Sequence, residues 1–309
     1  MNAGRELHQV KDFWSVEPCG AHFVTDFADR RDFFAKFREH RYRTLWYLPR
    51  LVPFEEAAGK SVLEIGCGNG ADGVMFASRG AQYTGVDLTQ TAVDATREHF
   101  QVLGLEGTFQ TEDAEHLSFP DESFDVVYSL GVLHHTPNTR LAIEEVHRVL
   151  KPGGQAIIML YHKNSFNYYV RILGYMRLRV LLGALVRLGR WNSDRRKLTG
   201  SSMLELRGNN SARIWKAHYK NFLERGWKYL AARNFVHHCT DGPECPIAYV
   251  FTRSSARATC SMFRNVDVKV GHLPLRQYLG NWVPLWLENL VASRLGWALM
   301  IYAVKGYPR

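Results

Sequence analysis

Cysteine is scarce in this 309-residue chain: five residues, Cys19, Cys67, Cys239, Cys245 and Cys260, odd in number and scattered. That excludes a disulfide framework. The opening stretch MNAGRELHQVKDFW has no apolar core of the kind a signal peptide carries. The longest greasy run, Ile172 to Leu188, is broken by Arg177, Arg179 and Arg187. It is too charged to span a bilayer unaided. No internal repeat and no low-complexity linker is present. Acidic residues are the deficit: 30 against 39 basic ones, a net charge of +9. That excess is compatible with nucleic acid, an anionic membrane surface or acidic substrates, and selects none of them. Together these absences predict a soluble, cytoplasmic protein whose oligomeric state is open.

What is present is a globular composition, 46% hydrophobic, and a regular alternation. Residues 27–48 read as helix, with Phe27, Phe34, Phe37 and Leu45 at helical spacing. From 60 to 161 strands and helices take turns. SVLEIG, QYTGVD, Gly107–Thr111, FDVVYSL and QAIIMLY are the strands. Ala71–Arg79, Thr91–Leu103 and Thr139–Leu150 are the helices, with KPGG as the last one's exit turn. This predicts an α/β fold with a parallel sheet covered on both faces. After 162 the pattern changes. Residues 166–190 read as apolar helix studded with arginines, and 191–240 as polar and irregular. Ile247–Phe251 and Val266–Leu273 read as strand-like, Trp282–Ser293 as helix, and WALMIYAV as a final strand. The expected organisation is an N-terminal helical lid (1–55), a nucleotide-binding core (56–165), a largely helical cap (166–245) and completion of the sheet (246–309).

The stretch VLEIGCGNGADG places glycines at 66, 68 and 70 after an apolar strand. Such a loop lets a backbone approach a nucleotide closely. Gly66, Gly68 and Ala71 fit G-x-G-x-x-A, and Asp87 follows at the end of the second strand, where a carboxylate accepts both ribose hydroxyls. NAD and S-adenosylmethionine satisfy these features equally. Glu64 separates them: an acid beneath the loop is badly placed for a pyrophosphate and well placed for an ammonium and a sulfonium. Asp113, after the third strand, is positioned to accept from an adenine amino group. The backbone of YSLGVLHH, after the fourth strand, is positioned to receive the ammonium.

VLEIGCGNG, GVDL, EDAEHLSFPDESFDVVYSLGVLHHTPN and RVLKPGGQAIIMLY resemble the successive motifs of class I S-adenosylmethionine-dependent methyltransferases. The resemblance covers about residues 55–165. It is closest to the broad group with LHH after strand four, which includes the quinone methyltransferases. FWSVEPCGAHF and HHCTDGPEC also resemble extensions in a subset of bacterial small-molecule methyltransferases. The resemblance implies a Rossmann-like, seven-stranded, mostly parallel sheet whose last strand is antiparallel. It implies S-adenosylmethionine as cofactor, contacted by Glu64, Gly66, Cys67, Gly68, Asp87, Leu88, Asp113, Ala114 and Leu130.

Methyl transfer from a sulfonium needs alignment above all, and a base only for an acceptor protonated at neutral pH. His134 and His135 stand at the carboxyl edge after strand four and His162 leaves strand five on the same edge. These three are the expected catalytic residues. HHCTDGPEC contains imidazole, thiolate and carboxylate, ligand types suited to zinc, but not the spacing of a paired knuckle, so no metal is expected there. Asp-Gly-Pro reads instead as a turn presenting Asp241 or a histidine to the acceptor. Phe13, Trp14 and His22 are candidate lid residues. The basic, apolar stretch NYYVRILGYMRLRVLLGALVRLGRW either caps the acceptor or rests on an anionic membrane through 166–190. The leading expectation is methylation of a small molecule. A membrane lipid or quinone acceptor is the alternative, and a nucleic-acid-binding or non-catalytic partner protein a third reading. The base-amino methylase signature Asn/Asp-Pro-Pro-Tyr/Phe is absent after strand four, so no specific nucleic acid is expected.

Overall fold

In the computed structural model, residues 3–16, 19–187, 211–280 and 282–307 are described. The alternation becomes one sheet. Its strands are β1 (Ser61–Ile65), β2 (Gln82–Asp87), β3 (Thr108–Thr111), β4 (Phe124–Leu130), β5 (Leu150–His162), β6 (Val250–Phe251), β7 (Asn265–Gly271) and β8 (Ala298–Val304). The order is β3-β2-β1-β4-β5-β8-β7. Strands β1 to β5 run parallel, and β8 lies antiparallel between β5 and β7. The two-residue β6 pairs with Tyr161 and His162, beyond the last β4 partner at Met159. The sheet therefore has one strand more than the expected seven, and the mostly parallel Rossmann-like order stands.

Parallel strands covered on both faces read as continuous apolar runs. β4 and β5 are examples, with Val127, Tyr128, Ile157, Ile158 and Leu160 almost fully buried. Each such side chain contributes about 1.5–3 kcal/mol of transfer free energy. One face packs Leu133, Ile143, Val146 and Val149 against Ile158 and Ile301. The other packs Phe54, Phe76, Tyr83 and Phe100 against Tyr128 and Met300. The covering helices begin where the sequence supplies caps. Thr89 accepts from the Ala92 N–H to start Gln90–Leu103, and Asn138 accepts from the Leu141 N–H to start Thr139–Val149. The chain leaves β1 towards β2 on one side and has β4 on the other. That reversal opens a crevice at the carboxyl ends of the strands.

Four expectations are corrected. The helix expected over 27–48 runs over Arg30–Thr44, leaving Phe27 outside it and 41% exposed. KPGG lies inside β5, not in an exit turn. Of Ile247–Phe251, the strand keeps Val250 and Phe251. The expected irregular stretch contains two helices, Ser211–Arg225 and Ala232–Thr240. The first was disguised because its inward face carries His218 and Asn221, both buried. Residues 188–210 of the expected cap lie outside the described residues. The arginine-studded stretch is helical as expected, but Asn167–Met176 is a π-helix leading into the α-helix Arg177–Arg187.

Candidate active site

A cavity of about 330 Å³ occupies the crevice. All nine residues expected to contact the cofactor line it: Glu64, Gly66, Cys67 and Gly68 from the first loop, Asp87 and Leu88 from β2, Asp113 and Ala114 after β3, and Leu130 from β4. Gly66 and Gly68 both adopt positive φ, +82° and +56°. A Cβ on Gly66 would lie 2.2 Å from Val132 Cγ2, whereas one on Gly68 would meet nothing within 4 Å. The first glycine thus permits packing beneath the loop, and the second leaves space above it.

Asp87 is tied down at the end of β2. Its Oδ1 accepts from the Thr89 N–H and hydroxyl, each at 3.0 Å, and its Oδ2 from the Gly68 N–H at 3.3 Å. Burial raises its pKa, and the bonds from Thr89 and Gly68 partly oppose that rise. Glu64 accepts from the Tyr83 hydroxyl at 2.6 Å. Its pKa is pushed well above the usual carboxylate range by burial first, then by neighbouring Asp72. A cationic ligand in the cavity would draw this acid back towards its ionised form, whereas a pyrophosphate would gain nothing from it. Asp113 has a local role as well, accepting from the Glu115 N–H at 3.0 Å.

In the sequence Arg41, Tyr42 and Arg43 are within reach of the site, but most charges on such a helix are solvated, which sets them aside. Arg41 lines the cavity and reaches Asp72 Oδ1 from Nε at 3.0 Å. Tyr42 and Tyr128 also donate to Asp72, each at 2.8 Å. Burial is the largest influence on Asp72 and would raise it, but the Arg41 charge and the hydrogen bonds from Arg41, Tyr42 and Tyr128 together outweigh it and hold the carboxylate below its ordinary value. Arg41 and Glu64 both line the cavity, so a guanidinium and a buried carboxyl face it.

The three expected catalytic histidines part company. His134 is fully buried against the Tyr161 ring at 3.8 Å and is not among the cavity's lining residues. Burial pushes its pKa well below 6.5. His162 is also absent from the lining; its Nδ1–H donates to the Gly296 carbonyl at 2.8 Å, joining β5 to the start of β8. His135 does line the cavity. Its Nδ1–H donates to the Ile247 carbonyl at 2.6 Å, and its Nε2 faces Asp241 Oδ2 at 3.4 Å. Asp241 also accepts from the Tyr161 hydroxyl at 3.2 Å. The Asp-Gly-Pro turn therefore brings its carboxylate to the cavity. The two histidines of HHCTDGPEC diverge: His237 bonds the Pro246 carbonyl and His238 stacks on Tyr229.

Aromatic rings close this end. Trp14 sets its edge to His135 at 5.4 Å, and Tyr161 stacks on Trp297 at 4.5 Å. Trp14 comes from the helix Ala3–Ser15, which also contributes Leu7 and Val10 to the wall.

Residues 63–158 match a family model described as a methyltransferase domain. S-adenosylmethionine is the cofactor that this domain implies. Similar curated proteins include the ubiquinone biosynthesis O-methyltransferase of Azoarcus sp. (strain BH72), 34% identical over 118 residues, 38% of this chain and 51% of that protein. The enzyme of the same name from Stutzerimonas stutzeri (strain A1501) is 36% identical over 118 residues, with the same shares. The chain spans about half the length of these relatives. In fold it is similar to a chain from the Haloferax volcanii complex of the Trm112 methyltransferase activator with a methyltransferase (TM-score 0.51, 15% identity, 97% of this chain and 99% of that one). It is also similar to magnesium protoporphyrin IX methyltransferase from Synechocystis PCC 6803 with bound SAH (TM-score 0.50, 15% identity, 96% and 98%).

Proposed function

We propose that the chain transfers a methyl group from S-adenosylmethionine to a small molecule enclosed between the sheet edge and residues 166–245. The observation that carries this reading is one cavity with two different poles. At one, Asp87 and the glycine loop suit a nucleoside, with Glu64 and Arg41 facing its charged tail. At the other, His135 and Asp241 stand among Trp14, Tyr161 and Trp297. S-adenosylmethionine, when bound, supplies an electrophilic methyl whose C–S bonding electrons remain on sulfur as the acceptor's lone pair takes the carbon.

This chain's residues do the rest. Asp87 accepts from the ribose hydroxyls, Asp113 from the adenine amino group, and Glu64 balances positive charge. Leu7, Val10 and Trp14 exclude water as a lid drawn from residues 1–55. Residues 56–165 form the core, the described part of 166–245 the cap, and the described part of 246–309 completes the sheet. His135 and Asp241 activate the acceptor's nucleophilic group, and the aromatic wall favours a planar, apolar acceptor bearing a hydroxyl. His134 and His162 support the wall from behind. Calorimetry tests the reading: SAM and S-adenosylhomocysteine should bind in the micromolar range and NAD should not. Asp87→Ala should weaken binding by about 1.5–3 kcal/mol, the usual worth of a hydrogen bond to a charged group. Binding of NAD alone, or an undiminished Asp87→Ala, sinks it.

A quinone or lipid acceptor reached at a membrane is the second reading, favoured by one observation. Tyr175, Leu178, Leu182 and Leu185 form an exposed stripe at helical spacing, each more than half exposed, with Arg171 and Arg179 exposed beside it. Among the described residues no helix is long and apolar enough to cross a membrane. Such a stripe fits surface contact, with apolar side chains in the lipid and arginines at the headgroups. The ubiquinone-pathway relatives support the same choice. Flotation with anionic against neutral liposomes decides it, and equal absence from both ends this reading.

A further inference from the structure

We propose that His135, Asp241 and Cys245 form a binding site for a divalent transition metal of the zinc type, open to the acceptor end of the cavity. The proposal deepens the reading above and rests on it only for the identity of the acceptor. The sequence discouraged a metal because HHCTDGPEC lacks ligand spacing on its own. The fold instead brings two residues of that stretch to a histidine more than a hundred positions earlier, and the candidate ligand atoms of all three residues lie within 4.8 Å of one another.

The hydrogen-bond pattern around His135 carries the inference. A carbonyl cannot donate, so the 2.6 Å contact with Ile247 O assigns the hydrogen to Nδ1. Nε2 then presents a lone pair. It is buried, has no hydrogen-bond partner, and faces Asp241 Oδ2 at 3.4 Å. With the ring neutral these are two acceptors facing each other, and with the ring protonated 3.4 Å makes only a loose ion pair. This separation is the right length for the edge of a zinc tetrahedron: bonds of about 2.0–2.3 Å to nitrogen, oxygen and sulfur separate the ligand atoms by roughly 3.4–3.6 Å. Cys245 Sγ, fully buried, lies 3.9 Å from the His135 ring at Nδ1 and donates to the Ile247 carbonyl at 3.4 Å. To bind an ion at Nε2 the thiol would turn from the Nδ1 side of the ring, with its proton released to solvent.

The surrounding contacts match those that orient metal ligands. The histidine's other N–H is held by a backbone carbonyl, and the carboxylate accepts a hydrogen bond from Tyr161. Imidazole, carboxylate and thiolate together suit zinc among divalent ions. Three protein ligands with a fourth position facing a cavity is the arrangement of a reactive rather than a purely structural zinc site. An acceptor oxygen would take that position, which would assign the acceptor to the hydroxyl class. The ion would also tie the turn after Ala232–Thr240 to the end of β4.

The full chain, stripped with EDTA and titrated with zinc chloride, should take up zinc stoichiometrically and melt at a higher temperature with zinc than without. Cobalt(II) in its place should give the near-ultraviolet absorption that thiolate ligation produces. Cys245→Ser should abolish that band, while Asp241→Asn should keep it and weaken binding. Either loss should exceed the roughly 10–100-fold that removing an outer partner costs. If Cys245→Ser does not fold, Asp241→Asn, on a partly exposed turn, carries the comparison. No zinc uptake, or equal zinc affinity in the wild type and Asp241→Asn, overturns the proposal. S-adenosylhomocysteine calorimetry on the zinc-free protein tests the cofactor separately. Zinc uptake without nucleoside binding would keep the metal site and remove the methyltransferase reading.

Discussion

The sheet and the helices of the cap bury polar groups in opposite ways. In the sheet the interior is dry, and its acids and histidines are moved to the carboxyl edge, where Asp87, Glu64 and His135 meet the cavity. In the cap the interior itself is polar. His218 bonds the Tyr229 hydroxyl at 2.7 Å, Asn221 bonds the Pro243 carbonyl at 3.2 Å, and His238 is buried beside Arg225. A dry core tolerates little change, whereas a polar one depends on its protonation state.

The largest expected effect probes the dry side. Gly66→Ala adds a Cβ at φ +82° and 2.2 Å from Val132. The left-handed backbone costs about 1–2 kcal/mol and the overpacking about 1–3 kcal/mol. Urea denaturation should show a loss of about 2–5 kcal/mol, and nucleoside binding should fail. A variant of unchanged stability would mean that the loop yields as readily as the cap.

The titration of one cap histidine, His218, probes the polar side, with an effect no larger than that of Gly66→Ala. Burial lowers the His218 pKa to about 4 and that of His238 to about 3. The unfolded chain takes up these protons near pH 6.5, so stability is full above that pH and falls as pH drops towards 4. His218 alone accounts for about 3 kcal/mol across that window. His99 and His272, both lowered to about 4 by burial, add to the fall from outside the cap. Replacing His218 with Asn should flatten the stability profile between those limits. An unaltered profile would show that the cap interior is wetter than its packing implies.

The smallest effect belongs to the cap's outer face. Leu178→Glu with Leu182→Glu, both on exposed positions, should change stability by no more than about 0.5 kcal/mol. The same pair should abolish liposome flotation if the membrane reading holds. A large loss of stability would reveal that the stripe packs against something in solution.

The same contrast explains what the sequence disclosed. Strand residues such as Val127 and Ile158 announce themselves because both faces are apolar, and Gly66, Gly68 and Asp87 because the loop chemistry is local. Ser211–Arg225 stayed hidden because His218 and Asn221 occupy its inward face. Arg41 was set aside as a solvated charge because its partner Asp72 is distant in sequence. His134, His135 and His162 looked alike on the page. Only the paths of β4 and β5 decide that His135 turns to the cavity while the other two turn away. The meeting of His135 with Asp241 and Cys245 is a tertiary fact, invisible to any spacing rule.

The cavity wall is assembled from Trp14, Asp87, His135, Asp241 and Trp297, which lie far apart along the chain. On the ribosome, the nucleoside's seat is therefore synthesised long before the last panel of the chamber around the acceptor. A half-made chain is an unfinished vessel, and no contiguous fragment of it inherits the whole.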